Sequence, residues 1–171
     1  MIVIEHVLRD IIDTFPEVEL SGSNTMVKPF FSWGTKEALD KYIKGYKSSC
    51  YPLIWLMPSE EIENRRAELV TSNLTLIIAT LEVEQELYNA QRYVKSFDKT
   101  LLPLSEMLKK SFDLSSNTRL VSPENIRQYK FPNYSEEDED GNKLIDLWDA
   151  IKIEVEVEFN NYCFKPITWQ D

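Results

Sequence analysis

The most regular pattern in the chain is a strict alternation of apolar and charged side chains between positions 149 and 160. Neighbouring side chains of a β-strand point to opposite faces of a sheet, so the alternation predicts one long strand with two unlike faces. The alternating residues are Ile151, Lys152, Ile153, Glu154, Val155, Glu156, Val157, Glu158 and Phe159. Such a strand is typical of an antiparallel sheet that packs one face on the core and leaves the other open.

Shorter apolar runs predict further strands. Residues 51–58 form a run bounded by two prolines, and residues 74–81 form a second run without a charge. Both are typical of buried strands. Residues 17–20 and 25–31 flank a turn and predict a hairpin, and residues 126–131 predict a short edge strand.

Three segments place apolar residues at the spacing of a helix. The first covers residues 4–15 and is ended by Pro16. The second covers residues 34–48. The third covers residues 86–112, and we expect it in two pieces because Pro103 suits the first turn of a second helix.

The remaining segments have weaker patterns. Residues 59–69 are charged and fit neither periodicity; if they are helical, Glu61 and Arg65 form a pair one turn apart. Residues 114–122 contain turn-forming side chains and predict a loop. Residues 135–143 form an acidic loop.

The order of the predicted elements is helix, hairpin, helix, two strands, helix, loop and strand. This order predicts an α+β fold, in which helices pack on one face of a mostly antiparallel sheet to give an α/β sandwich. The length fits a single domain over residues 1–171. A loop region at about 114–146 and an aromatic C-terminal tail at 162–171 are additions to that domain.

The charge balance limits the classes of partner. The chain has 29 acidic and 19 basic side chains and a formal net charge of −10. Such a chain cannot hold nucleic acid by neutralising phosphates, although DNA could pass it without being bound. Cys50 and Cys163 make no disulfide framework and are each expected to be small buried apolar residues. Since we find no basic leader and no apolar run of ~18 residues, we expect an intracellular protein without a membrane span.

The motifs of common enzymes are missing from the sequence. The four glycines are too scattered to form a phosphate-binding loop or a dinucleotide fingerprint. His6 lies beside the apolar stripe of the first predicted helix, so we expect a partly buried structural histidine rather than a catalytic one. No lysine has an acidic residue two places before it, as the metal site of a restriction-type nuclease requires. We therefore expect no enzyme activity, no catalytic residue and no cofactor.

The acidic loop comes nearest to a metal site. Its oxygen-bearing side chains follow the spacing of a calcium-binding loop: Asp138, Asp140, Asn142, Asp146 and Asp149. However, Lys143 occupies the place where such a loop requires glycine, and Gly141 comes two places early. We expect a solvated acidic loop and no metal ligands.

Glu154, Glu156 and Glu158 are the best candidates for a functional surface. On one face of a strand their side chains would lie ~7 Å apart. Three roles are open: a solvent-facing surface, the lining of a channel or interface in an oligomer, and acid–base catalysis by paired carboxylates, which is the least favoured. The four tryptophans are expected in the core or at an interface, because a platform for stacking bases needs a basic groove.

Four features in order resemble the tail terminator (tail completion) proteins of long-tailed bacteriophages. A short amphipathic helix, IEHVLRDIIDTFPEV, leads into a strand, and a central strand, YPLIWLMP, is bounded by prolines. A second strand, LTLIIATLEV, precedes a helix, and the closing strand, LWDAIKIEVEVEF, alternates after an aspartate. The resemblance covers most of the chain as a pattern. Residues 114–143 and the tail after Tyr162 depart from it.

The resemblance implies a virion structural protein of the phage tail and neck. Family members are small α/β proteins that form six-fold rings on the end of the tail tube nearest the capsid. The ring stops tube polymerisation and joins the tube to the head connector. The implied partners are other copies of the chain, the tail tube protein and a connector or neck protein, with DNA as passing cargo and no membrane. Assembly would take place in the cytoplasm of a bacterial host.

In such a ring, Glu154, Glu156 and Glu158 are the candidate lining of the lumen or of an interface. An acidic lumen would let DNA pass because like charges repel.

Other functions remain open. The first is another ring of the neck, such as a head–tail connector or a head-completion protein. The second is a small acidic cytoplasmic adaptor or DNA-mimic inhibitor, a monomer or dimer with acidic residues spread over one exposed surface. The third is a metal-dependent enzyme that uses the acidic loop, for which calcium or magnesium would shift the melting temperature.

Overall fold

The computed structural model describes residues 2–21, 23–81, 89–134, 148–160 and 165–169. The acidic loop at 135–143, with all of its calcium-like pattern except Asp149, lies outside the described residues. So does the first part of the aromatic tail. Trp169 is described, and its ring packs edge-to-face on Phe15 with 5.4 Å between the ring centroids.

The described residues form both helices and strands. The helices are α1 (Ile4–Asp13), α2 (Lys36–Tyr46), α3 (Asn89–Arg92) and α4 (Leu102–Leu114), with a π-helical segment (Tyr93–Leu101) before α4 and 3₁₀ turns at Lys47–Cys50 and Pro123–Asn125. The strands are β1 (Val18–Glu19), β2 (Met26–Val27), β3 (Phe30–Trp33), β4 (Leu53–Leu56), β5 (Glu61–Asn64), β6 (Leu69–Leu81), β7 (Thr118–Leu120), β8 (Arg127–Tyr134) and β9 (Trp148–Asn160). Within the described part of the chain, no helix is long and apolar enough to cross a membrane.

The main sheet is built around one long antiparallel pair. β6 and β9 pair along their whole length, from Leu69 opposite Asn160 to Leu81 opposite Trp148. β4 and β5 pair with the free side of β6, and β7 and β8 pair with the free side of β9, all antiparallel. β3 joins parallel to β4, while β1 and β2 form a separate hairpin. The predicted α+β fold with a mostly antiparallel sheet is confirmed.

One face of the sheet carries the larger core. α1, the π-helical segment and α4 pack on it and cover the apolar side chains of β4, β6 and β9. Buried members of this core include Leu8, Ile11, Phe97, Leu104, Leu108, Phe112, Ile151, Ile153, Val155, Val157 and Phe159. From Ile151 to Phe159 every odd-numbered residue of β9 belongs to this set, so the apolar half of the alternating pattern faces the helices as predicted.

The opposite face is covered at one end only. α2 packs there through Leu39 and Ile43, against a second cluster that includes Trp55, Ile77 and Trp148. Packing of the helices on one face was the prediction, and it holds for α1 and α4 but not for α2. The physical reason is that this end of the sheet is apolar on both faces: all four residues of β4 are buried, so both faces need a cover.

Two segments near the N-terminal half differ from their predictions. The predicted hairpin is present, but its second arm is only β2, because β3 leaves it and joins the main sheet. Pro29 lies between them, and proline has no N–H with which to continue a ladder of hydrogen bonds. Residues 59–69 hold β5 and the turn into β6, so Glu61 and Arg65 are not a helical pair. Arg65 Nε instead donates to Glu63 Oε2 at 3.1 Å.

The structure also corrects two predictions for the C-terminal half of the chain. Residues 114–122 were predicted to be a loop, but they contain β7, which is held against β9 by three residue pairs. Helical structure runs without a break from residue 89 to 114, so the two predicted pieces are continuous. Pro103 lies in the first turn of α4, as predicted.

A buried ion pair joins the start of this helical run to β9. Arg92 Nη1 donates to Asp149 Oδ1 at 3.2 Å, and both side chains are completely buried. Thr80 lies opposite Asp149 on β6 and is buried as well. Asp149, the last residue of the calcium-like pattern, is therefore held in the core by an arginine.

Candidate functional site: the polar face of strand β9

The three candidate glutamates share one face of β9. Glu154, Glu156 and Glu158 are half-buried, and the residues between them are buried on the helical side. This is the face that α2 covers near Trp148, but α2 reaches only the apolar end of the strand. The structure therefore brings the three predicted residues together on a polar surface that no described helix covers.

On the β6 side, the glutamates meet uncharged polar residues. In the strand register, Thr75 lies opposite Glu154, Asn73 opposite Glu156 and Thr71 opposite Glu158. Side chains directly opposite each other in an antiparallel pair are close enough to interact. The hydroxyl and amide groups therefore extend the polar surface across two strands without adding charge.

On the other side of β9, the register adds positive charge. Arg127 of β8 lies opposite Glu154, and Arg119 of β7 lies opposite Glu158. Lys152 Nζ also lies 3.0 Å from Glu154 Oε1. Among the strand residues of this face three carboxylates thus meet three cationic side chains, and Glu124 in the turn before β8 adds one more carboxylate, so the face is far less acidic than β9 alone predicted.

The two arginines are functional-surface residues that the sequence interpretation missed. It counted three glutamates and one lysine because it considered β9 alone. Arg119 lies in a segment predicted to be a loop, and the three-residue strand around it is too short to show a periodicity. Arg127 lies within the segment 126–131 that was predicted as an edge strand, but a sequence pattern gives no pairing register.

A groove lies beside the glutamates, where the segment that connects β7 to β8 does not pair with β9. Val121 N still donates to the Glu156 carbonyl at 3.1 Å, and the chain then forms the 3₁₀ turn Pro123–Asn125 before β8 begins. The groove has a volume of about 660 Å³, and its lining is mostly polar. Its lining residues are Asn73, Leu74, Thr75, Ser122, Glu124, Asn125, Ile126, Arg127, Glu154, Val155 and Glu156.

The residues that the structure describes include no cluster of three or more His, Cys, Asp or Glu side chains able to hold a metal ion. His6 is exposed on α1 rather than partly buried as predicted, because it lies two residues after Ile4 and points away from the buried stripe. Cys50 is buried as predicted, and Cys163 lies outside the described residues.

A second charged surface is formed by the β5 hairpin at the far edge of the sheet. All four residues of β5 are exposed, and Glu60 and Glu61 add to the charge of Glu63 there. Glu61 is exposed as a residue, but partial burial of its carboxyl raises the pKa of that group above its ordinary value, and the neighbouring Glu5 carboxylate raises it further. The Glu5 and Glu61 carboxylates are therefore crowded together, while Glu63 of the same hairpin is paired with Arg65.

The Glu61 pKa gives a direct test of this crowding. The folded chain keeps the Glu61 proton to a higher pH than the unfolded chain, so this group contributes stability at low pH that is lost as pH rises through its pKa. Glu5→Gln should lower the pKa of Glu61, because one neighbouring negative charge is removed. Glu17→Gln, an exposed change away from the hairpin, should leave it unaltered. Titration of the Glu61 side-chain carboxyl by NMR measures both, and equal pKa values in the two variants would contradict the placement of Glu5.

Comparison with known proteins adds nothing to this geometry, since no protein-family model matches the chain and no curated protein is significantly similar to it.

Proposed function

We propose that the chain is a virion structural protein that forms a ring, hexameric by the resemblance, on the end of a phage tail tube. The ring terminates the tube and joins it to the head connector, and DNA passes through its lumen. In this proposal Glu154, Glu156 and Glu158 line the lumen. The observation that carries the proposal is the polar face of the long strand pair, which no described helix covers.

The charge balance of that face supports a conduit. A surface that binds DNA presents unmatched lysines and arginines to the phosphates, and the affinity grows with their number. Here Arg119 and Arg127 are each opposite a glutamate, and Lys152 lies against Glu154. A surface with this balance offers DNA no net attraction, which is what a channel for moving DNA requires.

The same balance weighs against the alternative of a DNA mimic. A protein that imitates the phosphate backbone must present carboxylates without compensating cations. On the described face of β9, Glu154 and Glu158 each have an arginine directly opposite on the neighbouring strand. Another ring of the phage neck is equally compatible with the face, since the two proposals differ only in the partner.

The first experiment is the mass of the purified protein by light scattering, alone and after mixing with tail tubes of the phage that carries its gene. A ring of several copies, alone or on the tube ends seen by electron microscopy, is the expected result. Rings that do not bind tube ends but do bind head connectors would favour another ring of the phage neck. A stable monomer that is indifferent to tubes would overturn the ring and favour the adaptor.

A further inference from the structure

The helical run over residues 89–114 buries side chains at an interval that a regular α-helix cannot keep on one face. Every fourth side chain of the run is completely buried: Arg92, Ser96, Thr100, Leu104, Leu108 and Phe112. At 3.6 residues per turn, each step of four residues overshoots a full turn by about 40°, and five steps accumulate about 200°. A regular α-helix would therefore place the first and the last of these side chains on opposite faces.

The π-helical segment Tyr93–Leu101 removes this drift. Its turns close one residue later than α-helical turns and are therefore wider, as in the bond that Leu102 N–H donates to the Phe97 carbonyl. A step of four residues then falls short of a full turn, which offsets the excess of the α-helical steps in α4. The segment thus brings Arg92 onto the same buried face as the apolar side chains of α4, where it pairs with Asp149.

The apolar residues of the same run follow a different interval. Their spacings alternate between four and three residues, which is the mean spacing of an α-helix. The members of this second pattern are Ala90, Val94, Phe97, Leu101, Leu104 and Leu108. In the structure, however, Ala90 is exposed and Val94 is 59% exposed. The start of the run therefore leaves two positions of its α-helical apolar stripe in water and buries Arg92 instead.

The sequence thus contains two alternative registers for one helix. In the observed π register, Arg92 is buried and Val94 is exposed. In a continuous α register, these two residues lie about 200° apart around the axis, so the rotation that buries the valine turns the arginine towards solvent. The two registers bury different side chains and are therefore two discrete states.

We propose that residues 89–101 form a conformational switch between these two registers. The ion pair of Arg92 with Asp149 favours the π register, because the α register moves the guanidinium away from β9. Burial of Ala90 and Val94 favours the α register. This inference concerns a single chain and does not depend on the proposed ring.

One further contact belongs to the π register. The hydroxyl oxygen of Ser96 lies 2.9 Å from that of Ser21, in the turn between β1 and β2. Rotation of the run would separate these two hydroxyls and bring Ser96 towards the surface. The outer surface of the run would lose an exposed valine and gain an arginine, so the switch would change which partners this surface can bind.

Two cysteine probes measure the register independently. Val94→Cys places a thiol that reacts with a maleimide in the π register and is protected in the α register, and Ser96→Cys shows the reverse. Each probe is introduced separately into a chain that carries Cys163→Ser. Cys50 is buried and gives the background rate.

The polarity of residue 92 is the variable that the test changes. Arg92→Gln with Asp149→Leu removes both charges and leaves an amide in the core of the π register, where its burial is costly, whereas in the α register the amide reaches water. The probe at position 96 should react about ten-fold faster or more in this variant than in the wild type, while the probe at position 94 should react more slowly.

The matched control is Arg92→Met with Asp149→Leu. Methionine resembles glutamine in size and helix propensity but has no amide, so its burial stabilises the π register. Both probes should therefore react as they do in the wild type. The control and the glutamine variant share the same change in β9 and the same net charge, so a difference between them comes from residue 92.

A second variant leaves the core and the ion pair unchanged. Ala90→Leu alters a residue that is exposed in the π register, so the variant is expected to fold. The larger side chain adds apolar burial only in the α register, and the probe at position 96 should react faster. Circular dichroism establishes that each variant folds.

Three results would overturn the inference. Faster modification of both probes in the glutamine variant would show local unfolding instead of a second register. Wild-type rates in the glutamine variant and in Ala90→Leu would show that the run has one register only. Equal shifts in the glutamine and methionine variants would show that the polarity of residue 92 does not decide the register.

Discussion

Replacing Asp149 by alanine is expected to lower the free energy of unfolding by about 3–5 kcal/mol, the usual cost of leaving one charge of a buried pair without its partner. Arg92 and Asp149 are both completely buried, and their side chains join the helical run to the central strand. Loss of the carboxylate leaves the guanidinium in the core with this ion pair removed. Denaturant unfolding followed by circular dichroism measures the change.

The control for this prediction removes both charges. Arg92→Met together with Asp149→Leu should be considerably more stable than either single loss, because a buried pair replaced by apolar side chains of similar size is often neutral in stability. Asp113→Ala, an exposed change on α4, should alter the free energy of unfolding by less than about 0.5 kcal/mol. If Asp149→Ala behaves like Asp113→Ala, the ion pair does not hold the helical run in place.

This ion pair also shows where sequence interpretation reached its limit. Asp149 marks the start of the alternating strand, and the sequence placed it as the last ligand of a possible calcium loop. Its partner is 57 residues away along the chain. A charge pair at that separation depends on how the helix crosses the sheet, which no local periodicity encodes.

Strands with a one-residue alternation were the most predictable part of the fold. In β9, each side chain is either apolar or charged, and burial follows that division from Ile151 to Phe159. β4 was equally clear, since an apolar run between two prolines leaves room for only one short strand. These patterns are predictable because they are local: each depends only on which face of its own strand is buried.

The side of the sheet on which a helix packs cannot be predicted from the pattern of that helix alone. The apolar stripe of α2, with Leu39 and Ile43, shows that one face of the helix is buried. It does not show which face of the sheet receives it. The structure answers this through Trp55 and Trp148, which point away from the larger core and need a separate cover.

The candidate surface was predictable in position but not in charge. The sequence correctly grouped Glu154, Glu156 and Glu158 on one face. The electrostatic character of that face depends equally on Arg119 and Arg127, which reach it through strand pairing. A face that appears acidic in one strand is balanced once its neighbours are counted, and the proposal of a DNA conduit depends on that balance.

Removing the three carboxylates is therefore expected to turn a surface that lets DNA pass into one that holds it. The triple variant Glu154→Gln, Glu156→Gln and Glu158→Gln leaves Arg119, Arg127 and Lys152 unmatched on every subunit. The chain as a whole stays acidic, with −7 in place of −10, so any gain in affinity comes from the local surface. We expect assembled rings of the variant to bind linear duplex DNA at least ten-fold more tightly than wild-type rings at low salt. The affinity should fall steeply with added salt, because each neutralised phosphate contributes about −0.9 to the slope of log K against log salt.

Two comparisons make this result specific to the lumen. Asp10→Asn, Glu17→Gln and Asp113→Asn remove the same charge from exposed sites elsewhere, and these rings should bind DNA like the wild type. Covalently closed circular DNA cannot thread a closed ring, so variant rings should bind linear duplexes in preference to closed circles. Fluorescence anisotropy with labelled DNA measures both affinities across a salt series. Equal binding to linear and circular DNA would place the glutamate face on the outside of the ring, and no gain over the control variant would remove it from the path of the DNA altogether.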